Sequence, residues 1–325
     1  MRAVLCTEFA PLDRLQVVEQ ESPPCGPGMV RIAVTASGVN FVDGLIVQGL
    51  YQLKPKLPFI PGGEVAGTVA EVGEGVTSVA VGDRVFASAG LAGGFASEAV
   101  VPAAAAVPTP DALSDAQAAT FVQSYVTARF ALEHRARAQA GQWLLVLGAG
   151  GGVGLGAVDV GSAMGLQVIA AASSADKRAA ATAHGAVAVI DTTTEDAKVR
   201  ARELAGGDGV DLVYDPVGGT AGEQALRALR DDGQFLVIGF ASGDIPKLPA
   251  NQVLLRNRRV TGVDWGGWAV HHRDENRAIL DSLVADIAAG KLHPVEPAVM
   301  PLDRAADALR DQIERRVTGK VALVP

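Results

Sequence analysis

The chain has 325 residues, 49% of them apolar, with 38 glycines and a net charge of −8. That is enough to bury the cores of two globular domains, and an acidic balance without a Lys/Arg cluster excludes the electrostatic footprint of a nucleic-acid or anionic-membrane binder. Cys6 and Cys25, the only cysteines, furnish neither a four-cysteine metal site nor a disulfide framework, and no apolar run approaches the ~20 residues of a membrane span, so a cytoplasmic protein is expected.

Residues 1 to about 120 alternate short apolar runs with turn residues. "RAVLC", "LQVVEQ", "VRIAVTA", "GTVAEVG", "DRVFAS" and "ASEAVVP" are separated by Gly-Pro, Gly-Glu-Gly and Gly-Asp, the pattern of a β-rich domain. A helix follows, "DAQAATFVQSYVTARFALEHRARAQ", with Ser114 as its candidate N-cap. After Gly141 strands ("WLLVLG", "LQVIAAAS", "AVAVID", "VDLVYD", "QFLVIG") alternate with helices ("GVGLGAVDVGSAMG", "SADKRAAATAHG", "EDAKVRARELAGG", "AGEQALRALRDDG"), which predicts a doubly wound α/β array around a parallel sheet. Beyond "RRVTGVDW" come two helices, near 274–289 and 303–316, and a last strand "GKVALVP". This tail is too short to fold alone and is expected to pack on the first domain, which divides the chain into 1–120 with 266–325 on one side and 121–265 on the other.

The loop "GAGGGVGLGAV" follows an apolar strand and opens a helix, the placement in which backbone amides and a helix N-terminus meet a pyrophosphate. Counted strictly it departs from GxGxxG, because Ala149 stands in the first glycine place and only Gly151 and Gly154 fill the second and third. Gly151 would admit the phosphates, Gly152 and Val153 would begin the helix, and Gly154 would let it pack on the strand; a purely structural turn is the alternative. About 20 residues on, where an NAD site places a carboxylate against the ribose, the chain reads "AASSADKR". Ser173 and Ser174 carry no charge to repel a 2′-phosphate, and Lys177 and Arg178 follow as cationic partners, so NADPH is favoured; the alternatives are a solvated helix face and an NAD site served by Asp176 if the strand runs longer.

The segments "GVNFVDGLIVQGLY", "PFIPGGEVAGTVAEVGEGVTSVAVGDRVFA", "GAGGGVGLGAV", "SSADKRAAATAHGA", "YDPVGG" and "RVTGKVAL" together resemble the zinc-free quinone oxidoreductases (zeta-crystallin-like) of the medium-chain dehydrogenase/reductase superfamily. The resemblance implies a GroES-like catalytic domain built from both chain ends, an inserted Rossmann domain, and a homodimer. Zinc members carry Cys and His ligands where this chain has "SGVNFVD" and Gly62-Gly63-Glu64, and none of the five histidines shows ligand spacing, so no metal is expected.

The resemblance also implies site residues. Asn40 and Tyr51 match the positions that polarise the acceptor carbonyl in zinc-free relatives, by amide and phenol donation; the alternatives are a helix cap and a packing residue. A second cleft tyrosine of the family is Leu45 here. Thr127 matches a residue beside the nicotinamide, and Gly218, Phe240 and Ala241 match loops at the sheet's carboxyl edge, with ordinary turn chemistry as the alternative for each; Thr192 stands for a family tyrosine near the 2′-phosphate, and Arg316 is a further charge for it. Trp265 and Trp268 would wall a flat substrate or make an interdomain or subunit contact. The expected activity is NADPH-dependent reduction of a quinone or other conjugated carbonyl. The alternatives are reduction of an enoyl thioester and a nucleotide-retaining binding protein.

Overall fold

A computed structural model describes residues 1–325, which form two compact units: Met1–Gln123 with Val295–Pro325, and Ser124–Pro294. In chain order the first unit supplies β1 (Arg2–Leu5), β2 (Gln16–Glu19), β3 (Met29–Val39), α1 (Phe41–Val47), β4 (Glu64–Val72), β5 (Arg84–Ser88), β6 (Glu98–Pro102) and β7 (Ala106–Pro108). Helix α2 (Asp115–Arg129) carries the chain across the division and continues into a π-helical turn, Phe130–Arg135. The second unit holds β8 (Trp143–Leu147), α3 (Gly152–Ala163), β9 (Gln167–Ala172), α4 (Ala175–Ala183), β10 (Ala188–Asp191), α5 (Ala197–Leu204), β11 (Val210–Asp215), α6 (Gly219–Ala225), β12 (Leu229–Val237), α7 (Ala250–Leu254), β13 (Arg259–Gly262), α8 (Trp265–His271) and α9 (Arg273–Ala288). β14 (Ala298–Pro301), α10 (Ala305–Ile313) and β15 (Val321–Val324) complete the first.

In the first unit β1 and β2 form an antiparallel ribbon, and a seven-stranded sheet runs β14-β15-β3-β4-β5-β7 with β6 also on β3. The long β3 organises it. One edge pairs with β4 along its length, while β6 takes Met29–Ala33 of the other edge and β15 takes Ser37–Val39. Alternating apolar residues bury one core among β3, β4, β5 and β6, including Val30, Ile32, Val65, Val69, Val85 and Val101. A second core joins α1 and α10 through Ile46, Val47, Leu302, Leu309 and Leu323.

The second unit is a six-stranded, wholly parallel sheet in the order β10-β9-β8-β11-β12-β13, the Rossmann arrangement. Its central strands are buried on both faces, which explains why they read as unbroken apolar runs. The order reverses between β8 and β11, so the ligand crevice of such a sheet lies at their carboxyl ends.

Two features depart from the expectation drawn from sequence. The helix read through "AGEQALRALRDDG" is shorter: α6 stops at Ala225, and the strand starts at Leu229 with a bulge before Gln234, where Asp232 takes a positive φ of 61°. Residues 266–294, expected with the end-built domain, fall in the second unit. There Trp268 lies 4.7 Å from Phe130 and stacks at 4.8 Å on His272, Arg129 binds Asp286 at 2.5 Å, and the His293 amide donates to Asp159 at 2.8 Å. Ile279, Leu283 and Ile287 complete the attachment with a buried stripe.

Candidate functional site

The glycine loop leaves β8 and enters α3 with Gly151 as N-cap, and no side chain caps the helix. The first-turn amides of Gly152, Val153 and Gly154 precede any intrahelical acceptor, so the helix start presents donors and a positive dipole end. The turn is made by Gly148, at φ +57°, one place before the strict motif begins. Ala149 fits because its methyl is wholly buried. Gly154 is held by close approach: a Cβ there would lie 2.3 Å from the Gly148 carbonyl oxygen and 2.8 Å from Ala149 Cα. At Gly151, by contrast, a Cβ would meet only the Gly148 oxygen, at 3.6 Å, leaving open space above the loop. Lys177 reaches the same loop, since a Cβ on Gly150 would fall 2.3 Å from Lys177 Cβ and 2.4 Å from its Cγ.

At the end of β9, Ser173 and Ser174 are exposed and the strand end bears no carboxylate. Ser174 caps α4 by accepting the Lys177 amide at 3.3 Å. Arg178 is otherwise committed than the sequence suggested: it donates to the Ala172 carbonyl at 3.2 Å and pairs with Asp191 at 2.9 Å. The Thr193 hydroxyl and amide, followed by Arg178, hold the Asp191 carboxyl below the usual carboxylate range. Thr192 is exposed beside this pair, its amide on the Ala172 carbonyl at 3.3 Å.

Across the sheet's switch point, Asp215 ends β11 and arranges the loops that carry Gly218, Phe240 and Ala241. Its buried carboxylate accepts the amides of Val217 at 2.8 Å and Gly218 at 2.9 Å, and its carbonyl accepts Ile238 at 3.0 Å. The amide of Ala241 donates to Pro216 at 3.0 Å, and that of Gly219 to Asp244 at 2.8 Å. Burial raises the Asp215 pKa against these two amide donors. Phe240 stays 40% exposed at this edge.

Thr127, on the α2 segment that packs on α3 through the Tyr125–Asp159 bond of 2.8 Å, is buried with a hydroxyl that has no protein partner. A buried orphan hydroxyl carries an unmet desolvation cost that a polar ligand atom removes. The open space over Gly151, the uncapped α3 and this hydroxyl all lie in the second unit, and together they fit a dinucleotide.

In the first unit Asn40 sits within a buried polar cluster. Register explains it: Val321 pairs with Val39, which brings Lys320 level with Asn40, and Glu64 pairs with Gly38, two residues earlier on the same face. Gly38 leaves room there, because a Cβ would strike the Ala119 carbonyl oxygen at 2.1 Å and Glu64 Cβ at 3.3 Å. Asn40 Nδ2 donates to Glu64 Oε2 at 2.7 Å, and Asn40 Oδ1 accepts from Lys320 Nζ at 2.5 Å. The other Glu64 oxygen accepts the Gln123 backbone N–H at 2.7 Å, and Asp43 accepts the Asn40 backbone N–H at 2.8 Å. Burial, opposed by that amide, pushes the Asp43 carboxyl up to about 7. The sequence offered Asn40 as a donor for substrate; its side chain is largely engaged by partners that spacing alone does not reveal.

Tyr51 follows α1 and packs, half-buried, against the core of α1 and α10. Arg316, read as a charge for the cofactor, lies in the first unit with its guanidinium on Asp311 and Glu314, so its charge is already compensated. Trp265 and Trp268, both half-buried, make contacts within the second unit: Trp265 Nε1 donates to Asn276 at 2.7 Å, and Trp268 lies in the aromatic group with Phe130, His134 and His272. No three His, Cys, Asp or Glu side chains converge as a metal site, and no helix is long and apolar enough to cross a membrane.

Residues 26–111 match the alcohol dehydrogenase GroES-like domain family, and residues 152–284 the zinc-binding dehydrogenase family. The chain is 40% identical to a quinone oxidoreductase-like protein 2 homolog of Nematostella vectensis, over 99% of this chain and 88% of that one. Against the quinone oxidoreductase of Rattus norvegicus the identity is 33%, over 96% and 94%. The solved Escherichia coli quinone oxidoreductase complexed with NADPH is similar with a TM-score of 0.90 and 29% identity, covering 100% of each chain. The chain belongs to the medium-chain dehydrogenase/reductase superfamily, and within it to the quinone oxidoreductase family of oxidoreductases.

Proposed function

We propose that the protein is an NADPH-dependent, metal-independent reductase of quinones or other conjugated carbonyls. The observation that carries this reading is the uncapped start of α3 beside a β9 end that offers Ser173, Ser174 and Lys177 and no carboxylate. NADPH, when bound, supplies the hydride. The amides of Gly152 to Gly154 hold its pyrophosphate, Lys177 balances the 2′-phosphate, and the Thr127 hydroxyl supplies a buried polar partner at the nicotinamide end. The loops bearing Gly218, Phe240 and Ala241 border the same crevice at the carboxyl edge of the sheet. Asn40 and Tyr51 donate hydrogen bonds to the acceptor carbonyl, stabilising the negative charge that grows on oxygen. Metal independence is supported by the donor set: the segments "SGVNFVD" and Gly62-Gly63-Glu64 hold neither Cys nor His, and Glu64 is taken up by Asn40 and Gln123.

The test is oxidation of NADPH and NADH by purified, chelator-treated protein with 1,4-benzoquinone, 9,10-phenanthrenequinone, an enone and crotonyl-CoA. Chelator-insensitive turnover that prefers NADPH is expected with a quinone or enone. Turnover with crotonyl-CoA alone would favour an enoyl-thioester reductase, and tight NADPH binding with no turnover would favour a binding protein.

A further inference from the structure

We propose that Lys320 and Glu64 are positioning residues that act through Asn40, fixing the orientation of its amide and strengthening the N–H it retains. The inference rests on the reading of Asn40 as a donor to the acceptor carbonyl. It concerns two residues whose own place in the reaction is unassigned.

The orientation follows from chemistry. A lysine ammonium carries donors and no acceptor, and an ionised carboxylate the reverse. With Nζ at 2.5 Å from Oδ1 and Oε2 at 2.7 Å from Nδ2, only one face of the amide suits both neighbours. A flipped amide would set N–H groups against the ammonium and the carbonyl against the carboxylate. Glu64 is itself held by the Gln123 amide at 2.7 Å, and the Lys320 nitrogen stands 3.7 Å from Glu64. All three residues are buried, at 6% exposed or less.

The primary amide has two N–H bonds, and Glu64 accepts one. The second is the one available to a ligand oxygen. An ammonium bound to the amide oxygen withdraws density along O=C–N and makes that remaining N–H a stronger donor, as linked hydrogen bonds polarise one another at low dielectric. A buried ion pair is commonly no more stable than apolar residues of the same volume. What this pair adds is a determined amide direction.

The experiment uses the full-length protein and the variants Lys320→Met, Glu64→Gln, Lys320→Arg and the double Lys320→Met/Glu64→Gln. The double variant removes both partners of the Lys320–Glu64 pair, so neither of the two is left buried with its charge uncompensated by the other. Readouts are NADPH affinity by fluorescence titration, kcat and KM with 9,10-phenanthrenequinone, and thermal unfolding by far-UV circular dichroism. We expect kcat to fall ~10–100-fold in Lys320→Met and in the double variant, the scale of impairing one stabilising donor, with NADPH affinity within about twofold of wild type. Partial recovery is expected in Lys320→Arg, which keeps a donor-only cation. A double variant that folds, binds NADPH and turns over as wild type overturns the inference. So does a kcat loss that merely follows lost folding or lost NADPH binding in all four variants. A wild type silent with every acceptor overturns the proposed function and this inference with it, whereas an active wild type with unaffected variants overturns this inference alone.

Discussion

Asp43→Asn tests the buried cluster through stability alone. Asp43 is enclosed beneath the start of α1, and burial pushes its carboxyl from 3.8 to about 7; the Asn40 amide opposes this, the Glu64 carboxylate reinforces it, and the Lys320 ammonium opposes it. The folded protein therefore keeps a proton on Asp43 through a pH range in which the unfolded chain has lost it. The stabilisation is fully present below about pH 3.8 and is lost as pH rises through about 7. At 1.36 kcal/mol per pKa unit, this one group removes about 2.5 kcal/mol of unfolding free energy between pH 5 and pH 8. Asparagine retains an oxygen for the Asn40 amide but has no proton to lose, so the variant should show a fall smaller by that amount and be more stable than wild type at pH 8. Every other ionisable group is common to both proteins and cancels in the comparison. Urea unfolding at the two pH values should be followed by far-UV circular dichroism, because Trp143, Trp265 and Trp268 all lie in the second unit. Parallel pH dependence in the two proteins, differing by less than about 0.5 kcal/mol, would refute the buried-proton argument.

Gly154→Ala should cost several kcal/mol of stability, on the order of other overpacked sites, because its Cβ meets immovable backbone. Gly151→Ala should leave the melting temperature nearly unchanged and weaken NADPH at least tenfold in a fluorescence titration; equal behaviour of the two alanines would contradict the loop geometry. Lys177→Ala should weaken NADPH by about 1.5–3 kcal/mol, the scale of a charged hydrogen bond, with far less effect on NADH, and calorimetric titration distinguishes this from an equal loss for both. Tyr51→Phe should lower kcat and leave NADPH affinity intact if the phenol acts on the acceptor; an unchanged rate assigns Tyr51 to packing against the α1 and α10 core.

The parallel sheet was legible because its strands are buried on both faces and its turns are marked by glycine, a signal carried within each short segment. The glycine loop was legible for the same reason, and its apparent departure from GxGxxG is resolved by geometry. The positive φ is taken by Gly148, and Ala149 faces the core, so no glycine is needed where the strict count asks for one. Residues 266–294 were harder. The spacing of Ile279, Leu283 and Ile287 reveals a buried face but not the surface that covers it, and that choice is made by Trp268 on Phe130 and Arg129 on Asp286. Arg178 illustrates the same limit for charge: its neighbour Lys177 lies against the glycine loop at Gly150 while Arg178 pairs with Asp191, a distinction of direction on one helix turn.

Asn40 marks where a motif stops being informative. The family pattern selects the residue, but its chemistry is set by Lys320 and Glu64, which reach it from opposite sides of β3. A shift of β15 by one residue would turn the Lys320 side chain to the other sheet face and free the Asn40 oxygen. The register, in turn, is held by Val321 and Leu323, buried in one core with Leu302 and with Leu309 of α10. The last strand of the chain thus couples its packing to an amide at the end of β3. Substitutions in that core, such as Leu323→Ala, act on Asn40 only to the extent that they loosen β15.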